Sequence, residues 1–296
     1  MPVAWDRLIR FVATDGRILR GEPILPIPDF DLGQVVEGTG LKARVIQGDD
    51  IYDTIGATKV TDEIVTVKTL LGPLAPSDVP IIRCIGLNYI SHIHETGRKM
   101  PNFPFMFFKP PTTVLDHGAN VIIPKLAQSN QPDYEGELCI IIGKDAKNVS
   151  EEDALDYIVA YTAGNDISSR KLQRDPELAG PVPQWGFSKG FDTFAPLGPA
   201  LISSRVVPDP SSLHLTTTVD GHVRQSSGLS DLLFNVPYLV SFLSNGTTLQ
   251  KGSVIMTGTP GGVGSGQKPP KFLEPGTTVE VHISKIGTLK NGVEYA

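Results

Sequence analysis

The chain has 296 residues, enough for a full hydrophobic core in one or two domains. Its 40% hydrophobic and 20% charged residues are those of a soluble globular protein. A formal net charge of −6 leaves no basic stripe to neutralise phosphates, which excludes general nucleic-acid binding.

The elements read in chain order begin with a small N-terminal piece, 1–73. There "RLIRFVATDGRILRGEP" predicts a hairpin turning at Asp15-Gly16. Residues 74–80, "LAPSDVP", have linker composition, and the main domain, 78–296, follows. Strands dominate it: "PIIRCIGLNY", "FPFMFFKPP", "NVIIPK", "ELCIIIG", "VAYTAGNDIS", "HLTTTVDGHVRQ" with a hairpin at Asp220-Gly221, "GSVIMTG" and "TVEVHISKIG". Two helices are predicted. One starts at Glu151 behind a Ser150 cap, with Asp153 at capping-box spacing; the other follows Asn235, has Pro237 early and stops at Gly246. With 25 prolines and 30 glycines between short strands, the fold class is α+β and β-rich. Cys84 and Cys139 lie in apolar runs and read as buried thiols in a reducing compartment. No apolar run approaches the ~18 residues of a membrane span, and the N-terminus lacks the apolar core of a secretory signal. The expected location is cytoplasmic, with a mitochondrial one left open.

In "PDYEGELCIIIGK" the acids Glu135 and Glu137 open an apolar strand. Alternation puts both on one face, roughly 6.6 Å apart along the backbone. Either they stand at a solvated strand entrance or a cation lies between them. Gly136 between them permits close approach by another element. Asp166 sits deep in an apolar run, where an unpartnered carboxylate is costly. An ion pair with Arg170, a turn at Asn165-Asp166, or a metal would each satisfy it. Three acids without a Cys or His cluster favour Mg²⁺ or Mn²⁺ over zinc.

"GLNYISH..E", "YEGEL", "NDISSR", "KGFDTFAPLGP" and "MTGTPGGVG", in this order from about Ile82 onward, resemble the motifs of the fumarylacetoacetate hydrolase superfamily. The resemblance implies a mixed β-sandwich roll behind a small variable N-terminal domain, usually a homodimer. It also implies one divalent metal per subunit, Mg²⁺ or Mn²⁺ with Ca²⁺ as a substitute, held by Glu135, Glu137 and Asp166.

His92 and Glu95 lie three residues apart, so on a helical turn they share a face, and such a pair can hold a histidine ready to take a proton. The resemblance puts this pair on a lid over the metal and gives His94 no counterpart. Lys189 reads by itself as a solvated loop lysine; the resemblance places it beside the metal, neutralising an enolate or hydrated intermediate. It likewise implies that Arg170 binds a substrate carboxylate, with Gln173 and Tyr89 as further pocket candidates. Related sequences often have an acid where Lys171 stands, which leaves substrate preference open. "MTGTPGGVGSGQKPP" fails as a phosphate loop, because Gln267 separates Gly266 from Lys268 and two prolines forbid a following helix. It is read either as a rigid turn placing Thr259 and backbone amides over the substrate or as a structural turn.

The function implied is that of a divalent-metal-dependent enzyme acting on a 2-oxo acid or 1,3-dicarbonyl through a metal-bound enolate. Hydrolysis of the carbon–carbon bond of an acylpyruvate leads. Oxaloacetate tautomerase or decarboxylase, and an isomerase or tailoring enzyme in aromatic catabolism or secondary metabolism, stay open. So does a non-catalytic metal-stabilised binding domain. The partner expected is a small keto acid, with neither nucleic acid nor membrane.

Overall fold

The computed structural model describes residues 2–28, 30–95, 97 and 99–296, with Glu95 described in its backbone alone. The N-terminal piece holds β1 (Arg7–Ala13), β2 (Ile18–Ile24), β3 (Lys42–Gln47) and β4 (Lys59–Leu71). The β1–β2 hairpin turns at Asp15-Gly16 as the sequence predicts, with Gly16 at a φ of 89°. Because β2 pairs with both β1 and β3, and β4 with both β3 and β1, the four strands close into a ring that leaves no free edge. β1 also pairs with β13, so the ring is continuous with the main sheet.

The rest of the chain runs β5 (Ile82–Gly86), α1 (Ile90–Glu95), β6 (Phe105–Lys109), β7 (Val114–Leu115), β8 (Asn120–Ile123), β9 (Pro132–Asp133), β10 (Gly136–Ile142), β11 (Ile158–Asn165) and β12 (Ser168–Ser169). Then come α2 (Arg170–Arg174), α3 (Pro176–Ala179), α4 (Trp185–Lys189), β13 (Ala195–Ser203), β14 (His214–Val219) and β15 (His222–Gly228). The chain ends with α5 (Val236–Ser244), β16 (Val254–Met256), β17 (Thr278–Ile283) and β18 (Gly287–Tyr295). The main sheet has the order β1-β13-β11-β10-β16-β5-β6, and a second sheet, β15-β14-β17-β18-β8, packs on it.

β10 lies inside both layers, which is why it reads as a continuous apolar run. Leu138, Ile140 and Ile142 face the second sheet and α5, among Leu215, Val281, Leu239 and Val240. Cys139 and Ile141 face the opposite way, among Trp5, Leu8, Ile82 and Met256. α5 begins behind the Asn235 cap, whose side chain accepts from the Tyr238 amide, as expected.

The predicted helix at Glu151 is not an α-helix. Ser150 and Asp153 make their capping contacts, Oγ to Oδ2 at 2.8 Å and amide to Oγ at 3.2 Å. The chain then has only the 3₁₀ turn Ala154–Tyr157 before β11 begins at Ile158, too short for α-helical bonding. β13 and β18 go beyond the strands read from the pattern. β13 contains Pro196 and Pro199, which ordinarily demote a run, yet it pairs with β1 and β11.

His117, buried beneath β18, accepts the Lys290 amide on Nδ1 at 3.2 Å. Burial pushes its pKa down to about 4, so the fold holds the ring neutral. The unfolded chain takes up that proton near its ordinary value of about 6.5, so stability present above pH 6.5 is lost as pH falls toward 4. Denaturant unfolding at pH 7.5 and 4.5 should show a stability loss about 2 kcal/mol smaller in His117→Gln than in the native chain. An unchanged loss would contradict the assignment.

Candidate active site

The main sheet gathers the acids at one end. Asp133 lies in β9, Glu135 and Glu137 flank Gly136 at the start of β10, and Asp166 follows the end of β11. Pairing of Gly136 with Asn165 brings these ends together, and the Asp166 amide donates to the Glu135 carbonyl at 2.8 Å. The Asn165 side chain accepts the Glu135 amide at 3.0 Å. Glu135, Glu137 and Asp166 are buried, and one ligand oxygen from each falls within 4.8 Å of the others. The sequence-predicted metal ligands therefore share one site, and neither the solvated entrance nor an Asp166–Arg170 pair describes it.

Parity explains the Glu-Gly-Glu order. The glutamates share the Cys139 and Ile141 face, while Gly136 faces the second sheet, whose β14 comes so near that a Cβ there would collide with the Thr217 hydroxyl. Gln225 accepts the Gly136 amide at 3.0 Å and donates to Thr259 Oγ1 at 2.7 Å. Thr259 Oγ1 in turn donates to the Gly136 carbonyl at 2.9 Å.

Three basic side chains compensate the acids. Lys189 Nζ, fully buried, donates to Glu135 Oε2 at 2.8 Å, Asp166 Oδ2 at 2.6 Å and Ser168 Oγ at 2.6 Å. An ammonium has three donors, so all are engaged. Lys109 Nζ donates to Asp166 Oδ1 at 2.5 Å and to the Phe194 carbonyl at 2.6 Å. Arg170 pairs through Nε with Asp133 Oδ2 at 2.7 Å and through Nη2 with Glu135 Oε1 at 2.6 Å. Burial raises the Glu135 pKa, but Lys189 and Arg170 outweigh it and hold this carboxyl below its ordinary value. Glu137 differs. Among the described residues no ion pair reaches it, and the Gly258 amide donates to its Oε2 at 2.7 Å. Burial, with the Asp166 and Glu135 charges beside it, drives its pKa well above the ordinary value. A cation is what this carboxylate lacks. All the donors are hard oxygens, so the site fits a divalent ion of the magnesium class.

Of these acids Glu135 lines a cavity of about 400 Å³. Its polar lining includes His92, Glu135, Arg170, Gln173, Arg174 and Thr259; its apolar lining includes Ile85, Pro183, Trp185 and Val263. His92 is half-buried on the single helical turn α1, as its spacing implied, while His94 is exposed. The Glu95 side chain, its expected partner, lies outside the described residues. Tyr89 is not brought to the cavity: it is wholly buried in the main core and bridges Leu232. Sequence reasoning did not single out Lys109, Asp133 or Trp185. Asp133 shares the parity of Glu135 and Glu137, and Lys109 ends an apolar run; both signals were present. Trp185 rests on Gly86, where a Cβ would stand 2.8 Å from its ring, and meets Phe105 edge-on at 4.7 Å.

Residues 81–294 match the family described as fumarylacetoacetate (FAA) hydrolase C-terminal. A caffeoylpyruvate hydrolase of Neonothopanus nambi is 43% identical over 98% of this chain and 93% of its own. Oxaloacetate tautomerase YisK of Bacillus subtilis is 42% identical over 72% of this chain and 69% of its own. The crystal structure of a 5-carboxymethyl-2-hydroxymuconate delta-isomerase from Mycobacterium smegmatis superimposes with a TM-score of 0.77 at 32% identity, covering 98% of this chain and 100% of that one. The chain belongs to the fumarylacetoacetate hydrolase family. It is an enzyme of that family, with the family's strand-rich fold, and its homologues include a hydrolase, a tautomerase and an isomerase.

Gly136→Ala should displace β10 from β14, lower thermal stability by about 1–3 kcal/mol and weaken divalent-metal binding measured by calorimetry. Adding Thr217→Ala removes the colliding hydroxyl and should recover part of both. No recovery would mean that the close approach is not what fixes the glutamates.

Proposed function

We propose that this enzyme hydrolyses the carbon–carbon bond of an acylpyruvate with an apolar acyl group, using one Mg²⁺ or Mn²⁺ per subunit held by Glu135, Glu137 and Asp166. The observation that carries the reading is the buried Glu137, without an ion pair among the described residues, in a cluster of oxygen donors whose member Glu135 lines a cavity of mixed polar and apolar residues. Charge supports the substrate class. Among the buried groups Asp133, Glu135, Glu137 and Asp166 are set against Lys109, Lys189 and Arg170, so a dication with all four carboxylates ionised leaves one positive charge in excess, and Arg174 lines the cavity besides. That excess favours an anionic substrate. The full-length similarity to a caffeoylpyruvate hydrolase supports the same choice.

A bound divalent ion supplies Lewis acidity toward the substrate's dicarbonyl oxygens. The chain's own residues do the rest. Arg170 donates to Asp133 and Gln173 and pairs with Glu135 through Nη2, which leaves N–H groups on a side chain that lines the cavity where a carboxylate can dock. Lys189 acts on the substrate through Glu135 and Asp166, because its own donors are engaged. His92 takes a proton from water as the water oxygen bonds to the acyl carbonyl carbon, with Glu95 as its orienting partner. The bond from that carbon to the methylene breaks, its electron pair delocalises toward the 2-oxo group, and the proton on His92 goes to the methylene carbon. The products are the carboxylic acid and pyruvate. Thr259 and Gln173 border the substrate, Trp185 lies along the acyl group, and Tyr89 supports the region from the core. We place the enzyme in the cytoplasm as a homodimer, with 1–73 as a supporting unit.

Metal-stripped protein, with and without Mg²⁺ or Mn²⁺, should convert acetylpyruvate and benzoylpyruvate to pyruvate plus the matching acid only when metal is restored. Carbon dioxide from oxaloacetate, or enol–keto conversion without cleavage of either acylpyruvate, would favour the decarboxylase or tautomerase reading instead. His92→Ala should cut kcat at least a hundredfold with metal affinity nearly unchanged, whereas Glu137→Ala should abolish metal binding. Loss of both properties in His92→Ala would remove it from its role as base.

In Trp185→Ala the ratio of kcat/KM for benzoylpyruvate to that for acetylpyruvate should fall about tenfold or more. A ratio that stays put would take Trp185 out of acyl recognition.

A further inference from the structure

Asp133 is fully buried, does not line the cavity and lies outside the three acids that could hold a metal. Its carboxylate is nonetheless the most heavily tied in the region. Oδ1 accepts the Gly264 amide at 2.7 Å and the Tyr134 amide at 2.9 Å. Oδ2 accepts the Ser265 amide at 2.9 Å and Arg170 Nε at 2.7 Å. The turn that delivers two of these amides is built around it. A Cβ at Gly264 would stand 2.6 Å from Asp133 Oδ1 and strike the Lys271 carbonyl. Asp133 is thus held by four hydrogen bonds, one of them from Arg170 Nε.

Nη2 of the same guanidinium forms an ion pair with Glu135 Oε1 at 2.6 Å. Arg170 therefore divides one positive charge between a fixed acid and a candidate metal ligand. We infer that Asp133 is a positioning residue for cation binding: by drawing part of the Arg170 charge away from Glu135, it leaves that carboxylate able to hold a divalent ion. Without it Arg170 turns wholly to Glu135 and competes with the cation. Both residues are more than nine-tenths buried, which weakens screening by water and strengthens the competition. A role as a mere strut of the turn at 263–266 makes a different claim, because a strut's loss is not repaired by removing Arg170.

The inference rests on the reading that Glu135, Glu137 and Asp166 hold a divalent cation, and one double-mutant cycle separates the two. Metal-stripped native protein, Asp133→Asn, Arg170→Gln and the double variant are checked for folding by circular dichroism, then titrated with Mn²⁺ in a calorimeter. Asp133→Asn should bind Mn²⁺ at least tenfold more weakly than the native protein. Arg170→Gln should bind it at least as tightly as the native protein, and the double variant should return to within about threefold of native affinity. A double variant as weak as Asp133→Asn, or Asp133→Asn with native affinity, overturns the inference. If Asp133→Asn does not fold, Arg170→Gln alone decides: affinity at or above native supports the inference, and weaker binding sinks it. Native protein that binds no Mn²⁺ removes the metal reading itself, whereas native binding without coupling removes only the role of Asp133.

Discussion

The structure depends on burying acids together at the mouth of its central strands. Glu135, Glu137, Asp166 and Asp133 are all nearly or wholly removed from water. Each buried charge would cost several kcal/mol if left alone. Lys109, Lys189 and Arg170 offset this, and each does so through short contacts to two or more acceptors. The compensation stops one partner short, at Glu137. A fold selected only for stability has no reason to keep such a carboxylate between two others. A fold that holds a cation does, because the ion converts their repulsion into shared attraction.

The same constraint explains the architecture around the acids. They can be buried only where the sheet is covered on both faces. The second sheet and α5 cover one face of β10; Trp5, Ile51 and Tyr52 of the N-terminal piece, with Leu74 and Val79 after it, pack in the cluster on the other. Gly136 is the point at which the two requirements meet: its neighbours must point into the site, while it must let β14 come within contact of the strand. The N-terminal ring, joined to the sheet through β1 and β13, thus helps keep water from the back of a site to which it contributes no candidate residue.

What the sequence made legible followed from local rules. Strand alternation put Glu135 and Glu137 on one face, the cost of a buried aspartate singled out Asp166, and the Asn235 cap announced α5. The parts it hid are set by partners distant in the chain. Lys109 and Lys189 contact Asp166 across 57 and 23 residues, and no local pattern tells a buried lysine from one at a strand end or in a solvated loop. β13 contradicts its own propensity because β1 and β11 supply its partners. The Ser150 cap made the opposite error, since its hydrogen bonds form but the path into β11 cuts the helix short. Tyr89 was drawn toward the cavity by its motif, whereas packing kept it in the core.

The division of labour inside the cavity bears on how one scaffold carries several reactions. The charged floor belongs mainly to strands and strand ends locked by both sheets, so it tolerates little change. The apolar side comes from Ile85 at the end of β5, Trp185 on the short α4 and Val263 in a turn. None of these three side chains bonds to the acids, although the turn after Val263 holds Asp133 through the Gly264 and Ser265 amides. α4 is tied to them as well, because Trp185 and Lys189 stand one helical turn apart and Lys189 Nζ lies 5.5 Å from the Trp185 ring. A change in the aromatic wall is therefore felt by the ammonium that holds Glu135 and Asp166. Relatives called hydrolase, tautomerase and isomerase share this fold or sequence at 32–43% identity. That range fits a site whose buried acids are shared while the residues lining the cavity vary.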